Sequence, residues 1–234
     1  MTGGIDPPLD LRLSGGARVR FTTRRDGDLG LTEPGPVDQT VSANRAALVE
    51  ASGLGSIVVG RQVHGTCVGL VRVCPPGYVA GAEPADGQAT DLRGVGVAVH
   101  AADCLPIALA GDGAVAMVHA GWRGLAGGVI AAGVDALREL GVDGPIEAAI
   151  GPGAGGCCYE TGPEVRDAFG GREAPGEDRR LDLKEIARRQ LAAAGVVRIH
   201  DVGICTLCAE PGLVFSHRRD GPSTGRQAGI VWLD

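Results

Sequence analysis

Two histidines and a cysteine are the residues of this chain best suited to chemistry. Cys104 and His119 bracket an apolar stretch that is broken once, by Gly111-Asp112-Gly113. A two-residue turn at Gly111-Asp112 would fold the stretch into a hairpin with Cys104 opposite His119, their Cβ atoms roughly 5 Å apart. At that distance a thiolate and an imidazole can share a proton, as in a cysteine hydrolase, or share an ion. An open zinc site takes three protein ligands and leaves a fourth position free. The candidate for the third is His64, in Arg61-Gln62-Val63-His64-Gly65, where the glycine permits a sharp turn. Arg61 and Gln62, on the same stretch, are candidate substrate contacts.

Polar residues elsewhere could serve this trio. His119 runs directly into Ala120-Gly121-Trp122-Arg123-Gly124. A helix starting there would present free N–H groups to an anion, with the Arg123 guanidinium beside them. Asp86 stands at a turn, as a substrate contact or as the carboxylate that orients a ligand histidine. Arg218, Arg219 and Arg226 crowd the C-terminal region, either as a solvated loop or as a phosphate site. Trp122 reads as a core anchor or a stacking surface, and His100 and His200 as structural. Cys205-Thr-Leu-Cys208 has no second C-x-x-C to complete a zinc ribbon, and the adjacent Cys157-Cys158 are poorly spaced to chelate one ion.

The elements that must position these residues follow from periodicity and caps. Strands are expected at 19–23, 57–63, 66–73, 95–110, 114–120, 146–150, 197–204 and 230–233. Asp38 caps a helix to Ser52 that Gly53 stops. A helix spans 125–140, Pro163 opens a short one reaching Phe169, and Asp182 with Glu185 caps one reaching Ala194. The segments 75–84 and 170–180 read as loops, and residues 1–18 as a loose segment ahead of one domain over 19–234. Strand pairs mixed with separate helices indicate an α+β fold.

Composition narrows the function classes. Forty glycines without a period and 3% aromatics describe a turn-rich globular protein with an aliphatic core. The net charge of −6, with no basic stripe, argues against nucleic acid as a partner. No apolar run is long enough to span a membrane and no signal segment is seen, so a soluble, cytoplasmic protein is expected. Seven cysteines read as reduced thiols or metal ligands rather than a disulfide framework.

Together, QVHG at 62–65, ADG at 85–87, ADCLPI at 102–107, HAGWRG at 119–124, IGPGAGGCCYE at 150–160, and FSHRRDG with TGR at 215–226 resemble the motif series of the YfiH-type laccase-domain family. That family is also called multicopper polyphenol oxidase, purine nucleoside phosphorylase and peptidoglycan editing factor. The resemblance implies a layered sandwich of mixed sheets with helices on its outer faces. It implies a zinc ion on His64, Cys104 and His119, phosphorolysis of adenosine, inosine, guanosine and methylthioadenosine, and deamination of adenosine. It implies purine nucleoside and phosphate as partners, for a monomer or a dimer. The chain departs from the family pattern over 25–36, in His217 where a tyrosine is usual, and in a Cys104–His119 spacer about two residues short.

Four functions fit these residues. The first is the zinc phosphorylase and deaminase, with Arg123, Arg218, Arg219 or Arg226 on phosphate. The second is a copper polyphenol oxidase. Five histidines with no His-x-His cannot build a multicopper centre, although a single blue site with Met117 nearby is conceivable. The third is a cysteine hydrolase editing cell-wall precursors, and the fourth a non-enzymatic zinc-binding module.

Overall fold

Alternation along the strands builds two sheets that share a core. The computed structural model describes residues 9–30, 38–171, 174–177 and 179–234. One six-stranded sheet holds β1 (Leu9–Arg12), β2 (Ala17–Phe21), β3 (Ser56–Arg61), β5 (Gly77–Pro84), β7 (Val95–Ala101) and β12 (Gln227–Leu233), in the order β1-β2-β12-β7-β3-β5. The other holds β4 (Val68–Leu70), β6 (Gly87–Thr90), β8 (Leu105–Gly111), β9 (Ala114–Ala120), β10 (Ile146–Ile150) and β11 (Val196–Asp201), in the order β11-β10-β8-β9-β6-β4. Both are mixed: β7, β3 and β5 run parallel in the first, whereas β10, β8, β9 and β6 are successively antiparallel in the second.

The strand period of two assigns each residue to a layer. Val97, Val99 and Val231 of the first sheet meet Ala108, Ala110, Val115 and Met117 of the second in the inter-sheet core. The alanines let the sheets approach closely, as does Gly229, where a Cβ would lie 2.7 Å from Pro106. Ile57, Ala98 and Ile230 face outward and pack with Leu48 of α1 (Gln39–Ser52). On the opposite outer face Leu105, Ile107, Leu109 and Val118 pack with Ile130 and Leu137 of α3 (Val129–Glu139) and Ile186 and Leu191 of α5 (Leu183–Ala193). Truncating Ile107 or Leu109 to alanine in such surroundings costs about 2–5 kcal/mol. The fold is the expected α+β sandwich with helices outside.

The structure corrects several local expectations. The N-terminal segment is not loose from Leu9 onward, because β1 pairs antiparallel with β2. Residues 77–84, read as loop, are β5, since pairing with β3 overrides a glycine-rich sequence. The helix expected over 125–140 begins earlier and is two helices, α2 (Trp122–Gly127) and α3, split at Gly128 with φ 94°. The run 95–110 is not one strand. β7 ends at Ala101, the chain crosses from the first sheet to the second, and β8 starts at Leu105.

The hairpin register also differs. Gly111 pairs with Ala114, so the turn is Asp112-Gly113 and Pro106, not Cys104, faces His119. Gly113 takes φ 83°, which is why the turn settles one residue later than expected. Short helices α4 (Pro163–Asp167) and α6 (His217–Asp220) complete the order.

Candidate active site

Two crossings between the sheets leave from neighbouring strands. β3 and β7 are parallel partners, so their C-terminal ends lie side by side. From there β3 leads through 62–67 to β4 in the second sheet, and β7 leads through 102–104 to β8. The first crossing carries His64 and the second Cys104. Gln62 stitches the two exits together: its Oε1 accepts from the His100 N–H and its Nε2 donates to the His100 carbonyl, both at 2.8 Å. That amide continues the parallel ladder for one step, and Gln62, expected to bind substrate, both joins the two exits and lines the cavity beside them.

His119, near the end of β9, completes the trio. One donor atom from each of His64, Cys104 and His119 lies within 4.8 Å of the others. The imidazoles stand edge to face, with centroids 5.0 Å apart. Gly121 forms the floor, where a Cβ would lie 2.8 Å from Cys104 Sγ. Cys104 and His119 thus meet as expected, although through a chain crossing and not through the ladder.

Asp86 organises the cluster from behind. It is fully buried and does not line the cavity, which corrects its expected role as a substrate contact. Its carboxylate accepts the N–H groups of Val63, His64 and Gly65 at 2.7–3.0 Å. These bonds hold His64 at φ 60°, a left-handed conformation that a non-glycine residue adopts at a cost. Oδ1 also lies 2.9 Å from His119 Nδ1. That contact fixes a proton on Nδ1, so that Nε2 is the nitrogen a metal could take up in exchange for its own proton.

Burial opposes charge on all three groups of this relay, and their contacts prevail. Burial would raise the Asp86 pKa, but the hydrogen bonds from His119 and from Val63 and Gly65 hold it down to about 2. Burial would likewise raise Cys104, yet attraction to His119 and hydrogen bonds to both imidazoles bring it down to about 6. Burial would lower His119, yet Cys104 and Asp86 raise it to about 9. Two imidazoles around an ionised thiol, with a carboxylate bonded to one of them, make a nitrogen- and sulfur-rich donor set that suits zinc.

The trio opens into a cavity of about 930 Å³, also lined by Arg61, His100, Asp103, Trp122, Arg123, Tyr159, His217, Arg218 and Arg226. Four guanidinium groups against one carboxylate make this cavity cationic on a chain of net charge −6. The arginines are not equivalent. Arg226 donates to the Thr224 and Gly225 carbonyls, and Arg61 to Ala82. Arg219 is turned away from the cavity, donating to Thr206, Ala209, Val214 and Asp220, which corrects its expected place on the substrate. Arg218 packs over the Tyr159 ring and bonds the Glu160 carbonyl. Arg123 packs over Trp122 and makes no hydrogen bond or ion pair among the described residues, so its guanidinium remains available. Because α2 is only six residues long, that guanidinium, more than a helix end, would meet an anion.

Three cavity residues were not among the candidates named from the sequence. Asp103, at φ 94°, accepts from Thr206 Oγ1 and Ser216 Oγ through Oδ1 and from Arg218 N through Oδ2. It ties the β7–β8 crossing to the segment carrying Arg218, and its position beside Cys104 was the only available hint. Tyr159 lies within IGPGAGGCCYE, a motif that by itself assigns the ring no role. His100, read as structural, lines the cavity and meets the Tyr78 hydroxyl at 2.6 Å through Nε2. Burial drives His100 down to about 3 and pushes Tyr78 up, so Tyr78 donates to a neutral ring. Met117, weighed as a copper ligand, is sealed in the inter-sheet core. Of the altered 25–36 segment, residues 31–36 lie outside the described residues. The described part holds Arg226 through its backbone, whose N–H donates to Asp28 at 2.8 Å.

A profile described as "multi-copper polyphenol oxidoreductase laccase" matches residues 25–234. The chain belongs to that family. It is 40% identical over 209 residues to a Xylella fastidiosa protein named purine nucleoside phosphorylase, covering 82% of this chain and 78% of the relative. A Streptomyces griseus protein named purine nucleoside phosphorylase ORF3 is 37% identical over 241 aligned positions, with 95% and 96% covered. The crystal structure of the Bacillus licheniformis protein YfiH superposes with a TM-score of 0.81 at 28% identity, covering 99% of this chain and 98% of that one. Among the described residues no helix is long and apolar enough to cross a membrane.

Proposed function

We propose that this laccase-domain protein is a zinc-dependent purine nucleoside phosphorylase that also deaminates adenosine, with inosine, guanosine and methylthioadenosine as further substrates. The observation that carries the reading is the His64–Cys104–His119 trio opening into a cationic cavity of nucleoside size, with Arg123 free at its rim. The names of the relatives support the same reaction class.

In phosphorolysis the glycosidic C–N bond breaks, a phosphate oxygen bonds to the anomeric carbon, and the base leaves with a proton. Arg123, joined by the free donors of Arg218, holds the phosphate and disperses its charge. The Tyr159 and Trp122 rings offer flat surfaces to the purine. His64, Cys104 and His119 would hold the zinc ion, which supplies positive charge to polarise a substrate oxygen or to acidify water. Asp86 keeps Nδ1 of His119 protonated, so that Nε2 faces the reacting centre throughout.

The test is chromatography of products from the purified protein with adenosine and phosphate. Adenine with ribose 1-phosphate is expected, with inosine from the deamination. No base release at any zinc loading would overturn the reading. A second reading, the cysteine hydrolase, is favoured by the contact of Cys104 with both imidazoles, which brings the thiol down to about 6 as His119 rises to about 9. Alkylation of Cys104 separates the two: zinc protects the thiol if it is a ligand and leaves it reactive if it is the nucleophile.

A further inference from the structure

Four of the seven cysteines converge outside the active-site cavity. Cys157 and Cys158 follow β10, and Cys205 and Cys208 follow β11. β10 and β11 are parallel neighbours, so both loops leave the same end of the second sheet. A short bridge prolongs that pairing: Gly153 N–H donates to the Ile204 carbonyl at 3.3 Å and Thr206 N–H to the Gly153 carbonyl at 3.0 Å. As a result, the sulfurs of Cys157, Cys158, Cys205 and Cys208 all lie within 4.8 Å of one another, so the adjacent pair, expected to be poorly spaced for one ion, does converge with the other two.

We infer that these four thiolates form a second metal site, a closed structural zinc centre. Three observations carry the inference. First, the spacing suits one tetrahedral ion. Zn–S bonds of about 2.3 Å set sulfur–sulfur edges of about 3.8 Å, and Cys157 Sγ lies 3.7 Å from Cys208 Sγ. A disulfide needs about 2.05 Å, and all four cysteines are free. Second, the backbone is shaped to the sulfurs. Gly155 N–H donates to Cys205 Sγ at 3.3 Å, the kind of bond that supports a ligating thiolate. A Cβ on Gly155 would lie 3.3 Å from both Cys205 Sγ and Cys157 Sγ, a tight contact that glycine avoids. Third, four soft donors select zinc over the hard cations, and a complete set leaves no open position for substrate.

The site acts on the cavity wall from behind. None of the four cysteines lines the cavity. Tyr159, adjacent to Cys158, does line it, and Thr206, adjacent to Cys205, bonds the Asp103 carboxylate. One ion would clamp the Tyr159 loop to the segment that Asp103 anchors, two loops otherwise joined by few hydrogen bonds. The inference stands on these sulfurs alone and holds whichever reaction the cavity performs.

The test uses the full-length protein purified under reducing conditions. A His64→Ala/His119→Ala variant removes two nitrogen donors of the first site. Zinc-edge X-ray absorption on it is expected to show one tightly held ion with four sulfurs at about 2.3 Å and no nitrogen. A Cys157→Ser/Cys208→Ser variant is expected to lose one equivalent of tightly held zinc relative to the unaltered protein. Should it be insoluble, cobalt titration of the unaltered protein is expected to give the charge-transfer bands of a tetrathiolate. The inference fails if the histidine variant holds no zinc, if its zinc shows nitrogen or oxygen ligands, if cobalt gives no thiolate bands, or if thiol counting finds Cys157 joined to Cys208 in a disulfide.

Discussion

The two cysteine-containing clusters differ in ways that sort chemistry from structure. His64, Cys104 and His119 offer three donors of two kinds, backed by the buried Asp86 and open to a cavity of about 930 Å³. Cys157, Cys158, Cys205 and Cys208 offer four donors of one kind, two of them exposed, with a backbone N–H in support, and none of them lines that cavity. Three donors leave room for a reacting group, and four complete a tetrahedron. Both clusters arise where parallel strands release adjacent loops, β3 with β7 and β10 with β11. On the readings proposed above, the same topological device supplies a reactive site at one place and a clamp at another.

The sharpest break between the two comes from removing one ligand of each. His119→Ala should reduce phosphorolysis to the level of a protein-free control, whereas Cys157→Ser should retain kcat at low temperature and lose thermal stability. Steady-state kinetics and a melting curve on both variants decide it, and equal loss of kcat would erase the distinction.

Asp86→Asn tests the support of the first cluster. The NH2 of the amide would face the N–H groups of Val63 and Gly65 if it replaced Oδ2, or those of His64 and His119 if it replaced Oδ1, so activity should fall roughly 10–100-fold. Stability should fall by about 1–3 kcal/mol, read from urea unfolding.

The cavity arginines give a smaller effect. Arg123→Ala should raise the phosphate KM about tenfold, the loss of roughly 1.5 kcal/mol in one charge-assisted contact. Arg219→Ala, whose guanidinium binds the protein's own carbonyls, should leave that KM unchanged and lower the melting temperature. A reversed pattern would place phosphate elsewhere.

A last effect concerns pH and acts on stability alone. His100 is held neutral in the fold with its pKa down at about 3, whereas in an unfolded chain a histidine titrates near 6.5. The unfolded state thus gains a proton below about 6.5 that the folded state refuses. Stability is complete above that pH and declines as pH falls towards 3. His100→Gln should flatten this decline between about 6.5 and 4 in denaturation midpoints; an unchanged slope would mean that other groups set it.

Much of this was readable in the sequence where one residue's own chemistry decides the outcome. Asp38 accepts from Thr40 N–H and Gly53 closes α1 at φ 66°, and Asp182 accepts from Glu185 N–H at the start of α5, all as local cap rules require. Residues 77–84 were not readable, because a glycine-rich strand is held by its partner β3 and not by its own propensity. The crossing at 102–104 was hidden for the opposite reason, since apolar residues continue on both sides of it and periodicity shows no break. In the site, the types and order of His64, Cys104, His119 and Arg123 pointed to the chemistry. The commitment of Gln62 and Arg219 to backbone groups could not be seen, because their partners lie far along the chain.

By itself, then, the sequence determined the strands with clear alternation, the capped helices and the candidate site residues, since each depends on neighbours a few residues away. The tertiary structure decided which of those side chains meet. His64 reaches Cys104 because β3 and β7 are parallel partners. Cys157-Cys158 reach Cys205 and Cys208 because β10 and β11 are. Those pairings are fixed by burial of whole sheets against each other, a cooperative quantity that no local spacing carries.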